Sequence, residues 1–130
     1  MLAAAAGGWA GVRYGLTTAD PNLSLDDILH NELDLTAEQE QKIAEMETLF
    51  AARRRELEAE MRAGNRDLAA AIGSPPVSRE DAALAIERFH RAERTLQEET
   101  VEHILAMRDV LSPEQLERFD EAVTAALSSD

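Results

Sequence analysis

Five side chains stand at spacings that coordination chemistry could use: Asp26, His30, Glu47, His103 and Met107. His30 follows Asp26 by four residues and Met107 follows His103 by four, so on helices each pair shares one face, as two ligands of one ion must. Glu47 falls between Ile43 and Phe50 on an apolar stripe. An acid buried there is costly unless it is paired or bound to a cation. A carboxylate, imidazoles and a thioether make a mixed oxygen, nitrogen and sulfur donor set. Such a set suits a borderline divalent transition metal, nickel, cobalt, zinc or copper, better than calcium or magnesium. The residues alone leave a second reading open, in which Glu47 and His103 form a buried hydrogen-bonded pair that fixes register and Met107 is core packing. On the short first helix, likewise, Asp26 and Asp27 can simply complement the helix dipole and leave His30 on the surface.

The elements that must position these groups are helices. Over residues 36–72 the apolar side chains Ile43, Met46, Phe50, Leu57, Met61, Leu68 and Ile72 recur three, four or seven apart, the spacing of one long amphipathic helix. Thr36 can cap its start, with Gln39 three residues on returning the hydrogen bond, and the same device recurs at Ser112 and Gln115. Gly73 to Val77 ends this helix, and Ser78 with Asp81 opens a second over residues 79–110. There Ala82, Phe89, Leu96, His103 and Val110 repeat at sevens, beside a parallel row of Ile86, Glu93, Thr100 and Met107. A last helix over residues 113–127 packs through Leu116, Phe119, Val123 and Leu127, and Ser24 can cap a short helix carrying His30.

A five-residue connection makes the two long helices antiparallel neighbours, so residues equidistant from Pro75 lie at one height. Glu47 precedes Pro75 by 28 residues and His103 follows it by 28. At 1.5 Å per residue both lie about 42 Å from the turn, and both are on apolar stripes. The short first helix fits less well: reflection about residue 34 sets Asp26 opposite residue 42 and His30 opposite residue 38, so reaching Glu47 needs a crossing angle or a partner subunit.

Composition narrows the partners. The net charge of −13 and pI of about 4.6 repel phosphate backbones and anionic membrane surfaces, which argues against nucleic acid. Aromatics are only 4% of residues, so burial must come from extended aliphatic seams, which favours a helical bundle and a dimer. The absence of Cys removes thiolate zinc sites and disulfides. Residues 1–16 are small and apolar and end near Trp9 and Tyr14, resembling the outer end of a membrane anchor or an uncleaved signal, with the natural chain beginning further upstream. Two further signals are discounted. A single Glu87-x-x-His90 lacks the second copy that a di-iron bundle needs, and Arg53 to Arg55 reads as a solvated charged face. No nucleophile motif or phosphate loop supports catalysis.

The paired starts, Leu35 to Gln39 and Leu111 to Gln115, resemble the LTxxQ motifs of the CpxP/Spy superfamily of periplasmic stress sensors and chaperones. The hairpin, with its stretch from Phe50 to Glu56 and the pair His103-x-x-x-Met107, is most similar within it to CnrX-type heavy-metal sensors, over residues 25–127. The resemblance implies an all-α fold, an antiparallel long-helix hairpin with short flanking N- and C-terminal helices, forming a dimer of hooked hairpins. It implies residues 1–22 as an anchor or signal remnant plus linker and residues 23–130 as the metal-sensor domain. The chain would be periplasmic, tethered to the inner membrane, bind nickel or cobalt and signal to a membrane anti-sigma partner. By position the family's ligands fall on Asp26, His30, Glu47, His103 and Met107. Asp26 departs from the family pattern, where a His stands, and would harden the site and add negative charge. The competing expectation is an ATP-independent chaperone or stress adaptor of the Spy/CpxP kind without a metal site.

Overall fold

The computed structural model describes residues 27–128. A helical stretch over 27–31 is followed by three helices, α1 (Ala37–Gly73), α2 (Arg79–Arg108) and α3 (Pro113–Ser128), and no strand occurs among the described residues. The all-α hairpin expected from periodicity is therefore present, with α1 displaced by one residue from the expected bounds and α2 two residues shorter. The apolar N-terminal stretch, Ser24 and Asp26 lie outside the described residues. Among the described residues no helix is long and apolar enough to cross a membrane. The described residues divide into two compact units, residues 45–106 and residues 27–44 with 107–128.

Residues 45–106 form the hairpin. The N–H of Ser74 donates to the Ala70 carbonyl (3.1 Å) at the end of α1, and Ser78 Oγ accepts from the N–H of Asp81 (3.1 Å) to open α2. The helices come into close backbone contact at Gly64. A Cβ placed on Gly64 would lie 3.0 Å from Phe89 N and 3.1 Å from Ala85 O, backbone against backbone. The buried seam is Leu57, Met61 and Ala63 on α1 against Ala85, Ala92, Leu96 and Ile104 on α2. Burying Met61 completely is worth on the order of 2 kcal/mol. This corrects the expected second row on α2. Ile86 is exposed, as is Ile72 at the end of α1, and Ala85 and Ala92 take the inner positions because close approach leaves no room for larger groups. Arg53 is also no part of a merely solvated face. Its Nε donates to Glu99 Oε2 at 2.6 Å across the helices, and Arg88 similarly holds Glu60 and Asp67, each at 2.9 Å.

The other unit has its core in Leu29, Leu33, Ile43, Met107, Leu111 and Phe119, with Ile43 and Phe119 wholly buried. On α3, Leu116 and Val123 are half-buried and Leu127 is exposed. Both expected capping boxes are present. Thr36 N–H donates to Gln39 Oε1 (2.9 Å) and Gln39 N–H to Thr36 Oγ1 (3.1 Å); Ser112 N–H donates to Gln115 Oε1 (2.8 Å) and Gln115 N–H to Ser112 Oγ (3.3 Å). The two glutamine amides also meet each other, with Gln39 Nε2 donating to Gln115 Oε1 at 2.8 Å. Asp34, between the first helical stretch and α1, has φ 51°, a left-handed conformation that Asp tolerates better than most residues. Ion pairs Arg108 with Asp120 (2.7 Å) and Arg118 with Glu32 add surface ties.

Candidate metal centre

His103 and Glu47 both belong to the hairpin unit. Mirror symmetry about Pro75 set Glu47 opposite His103; the observed ring partner of His103 is Phe50, three residues along α1 and less than one turn away. The imidazole lies flat on the Phe50 ring, with centroids 4.4 Å apart and planes inclined by 4°. Phe50 and Glu47, three apart on a helix, share a face, so the face of α1 that meets His103 is the one bearing Glu47. Both residues are half-buried, and Oε2 of Glu47 is shielded from solvent.

This geometry has a chemical consequence. A ring held by its face keeps both nitrogens at its edge, in plane, so stacking on Phe50 orients the imidazole without occupying the lone pair that would coordinate an ion. A shielded carboxylate oxygen and an oriented imidazole nitrogen are a hard and a borderline donor, and the described residues contain no thiolate to compete. A carboxylate oxygen and an imidazole nitrogen are donors of the kind a divalent transition ion takes, and other donors or water would have to complete its coordination sphere.

The remaining expected donors divide as follows. Met107 is 2% exposed, in the core of the other unit, and His30 belongs to that unit as well, exposed beside the buried Leu29. Asp26 lies outside the described residues. Among the described residues no group of three or more His, Asp or Glu side chains gathers as metal donors. His90 is exposed, stands edge-on to Phe89 at 5.5 Å and lies 3.2 Å from Glu93 Oε1 through Nδ1, as a surface residue would. Charge near the hairpin site is already balanced in part. The hydrogen bond to Glu99, then its charge, raises the Arg53 guanidinium above its ordinary value and keeps that carboxylate engaged.

Phe50 was visible as one member of an apolar stripe, yet its role as ring partner was not read. Its offset of three residues from the mirror position of His103 was the available signal. The Arg53–Glu99 bridge was missed because cross-helix ion pairs depend on register to within a turn, which spacing along one helix does not show.

The chain belongs to the heavy-metal resistance family, whose profile matches residues 1–118. It is 36% identical over 103 residues to the nickel and cobalt resistance protein CnrR of Cupriavidus metallidurans, a match spanning 79% of this chain and 70% of that protein. The resemblance to CnrX-type proteins drawn from the paired glutamine motifs and the His103-x-x-x-Met107 pair thus holds at the level of the family.

Proposed function

We propose that this chain is a periplasmic, membrane-tethered domain that binds a divalent transition metal, nickel or cobalt ahead of zinc or copper, and reports its occupancy to a membrane anti-sigma-type partner. The observation that carries the reading is His103 lying on the face of α1 that bears Glu47, in a chain of the heavy-metal resistance family. Similarity to a protein named for nickel and cobalt resistance supports those two metals. Glu47 would hold the ion through a carboxylate oxygen and His103 through an imidazole nitrogen. The bound ion would add positive charge beside the shielded Glu47 oxygen. The resemblance adds His30, Met107 and Asp26 as further donors.

Sensing requires two arrangements of the protein with different affinities for the ion, because a ligand shifts an equilibrium only by that difference. On this reading the chain acts by binding rather than by catalysis, and its charge of −13 argues against a nucleic-acid partner. Residues 1–22 would provide the tether. A homodimer would cover some of the apolar surface that Leu49, Val101 and Leu105 expose on the hairpin. The same exposed residues favour a second reading, an ATP-independent chaperone, which predicts protection of unfolded clients without metal. Isothermal titration of metal-stripped protein with nickel, cobalt, zinc and copper separates the two. Sub-micromolar binding near one ion per chain is the expected result, and no binding to the unmodified protein overturns the sensor reading.

A further inference from the structure

The two capping glutamines do more than close their own helices. Gln39 Oε1 accepts from Thr36 N–H and from Gln115 Nε2 (3.1 Å), while its Nε2 donates to Gln115 Oε1 and to the Val110 carbonyl (2.8 Å). Gln115 Oε1 accepts from Ser112 N–H and Gln39 Nε2, while its Nε2 reaches the Leu33 carbonyl (3.1 Å), Gln39 Oε1 and, at 3.5 Å, the Asp34 carbonyl. Each half-buried amide therefore uses its whole donor and acceptor capacity. A carboxylate cannot donate and an ammonium cannot accept, so neither reproduces this pattern, and the asparagine amide is one methylene shorter.

The carbonyls gripped in this way lie one turn from two of the proposed metal donors. Leu33 is three residues after His30, on a segment tied again by the Glu32–Arg118 ion pair, and its carbonyl adjoins the left-handed Asp34 where the chain bends into α1. Val110 is three residues after Met107, at the end of α2. All of these residues belong to one compact unit.

We propose that Gln39 and Gln115 form a clasp that positions the His30 segment and the Met107 end of α2 as metal donors, an inference that rests on the metal-binding reading of the chain. The capping boxes hold each helix start, and the reciprocal amide bonds convert two local caps into one joint between three chain segments. Gln39 and Gln115 are positioning residues: their oxygens and nitrogens are spent on protein partners and none is left for an ion.

The test uses the full chain with Gln115→Glu, which keeps the acceptor toward Ser112 and loses the donations to Leu33 and Gln39, and with Gln39→Glu, which keeps the acceptor toward Thr36 and loses the donations to Val110 and Gln115. Nickel titration is measured for each, with hydrogen exchange at residues 28–33 for Gln115→Glu and at residues 107–111 for Gln39→Glu, alone and combined with His30→Ala or with the volume-conserving Met107→Leu respectively; circular dichroism confirms that the helices persist, and Gln39→Glu carries the test if Gln115→Glu does not fold. The expected result is faster exchange at 28–33 in Gln115→Glu and at 107–111 in Gln39→Glu, with nickel affinity reduced about 10–100-fold, the range typical of residues that orient metal ligands, and little further reduction when the donor next to the broken bond, His30 or Met107 respectively, is already replaced. Unchanged exchange, or an affinity loss that is the same with and without the donor next to the broken bond, overturns the clasp while tight nickel binding by the unmodified protein keeps the metal reading. Absence of nickel binding in the unmodified protein overturns both.

Discussion

The imidazole of His103 lies parallel to the Phe50 ring at 4.4 Å across the hairpin, and this contact fixes both the register of the long helices and the plane of the histidine. Offset stacking of this kind is worth on the order of 1 kcal/mol beyond burial. Its larger consequence is orientation, because a ring packed by its face can rotate little without losing the contact.

Phe50→Ala removes that wall. The ring is half-buried, so the loss falls below the ~3–5 kcal/mol of fully buried phenylalanines, at about 2 kcal/mol. Urea denaturation measures it. Phe50→Leu retains most of the volume and is expected to recover more than half of that loss while still weakening metal affinity, since an aliphatic group does not hold the imidazole plane. Equal metal affinity in Phe50→Leu and the unmodified protein would contradict an orienting role.

Gly64 lies where the helices are closest, and the propensity argument and the packing argument make opposite predictions there. Alanine gains up to about 1 kcal/mol inside a helix, but its Cβ would meet the backbone of Phe89 and Ala85 at 3.0–3.2 Å, and overpacking costs about 1–3 kcal/mol. The packing term wins, so Gly64→Ala lowers the melting temperature. Gly73→Ala is the control. Nothing lies within 4 Å of its Cβ, so its melting temperature stays level or rises.

Two ion pairs make stability depend on pH with a definite sign. The hydrogen bond from Arg108, aided by its charge, holds the Asp120 carboxyl below the usual carboxylate range against the opposing effect of burial, and Arg88 does the same to Glu60. A carboxyl whose pKa is lower folded than unfolded stabilises the fold fully above the unfolded value and loses that contribution as pH falls through the folded one. Thermal melts are therefore expected to be level from neutral pH to about 5 and to fall below about 4. Asp120→Asn gives a shallower acid limb. Because both pairs are substantially exposed, added salt shrinks the difference.

Much of this fold is written in short-range chemistry. Thr36 with Gln39, Ser112 with Gln115, and Ser78 before Asp81 mark helix starts that depend only on residues three apart, and all three occur as expected. Reflection about Pro75 placed Glu47 and His103 within a turn of the observed contact because a tight connection leaves little freedom of register. Other features need the third dimension. That the Gln39 and Gln115 amides bond to each other depends on three segments meeting. Periodicity weighs apolar size and so favours Ile86, whereas the backbones come so close at Gly64 and Ala85 that a small residue takes the inner position there. His30 lies between Leu29 and Leu33, and those leucines, rather than the histidine, are buried in the core.

The central claim is that Glu47 and His103 act together on one ion. Its most direct test is nickel titration of metal-stripped Glu47→Ala, His103→Ala and the double variant beside the unmodified protein, with circular dichroism to confirm that each is folded. Donors to a single ion predict sub-micromolar binding in the unmodified chain, a large loss in either single variant, and little further loss in the double. Near-wild-type affinity in either folded single variant would contradict the claim.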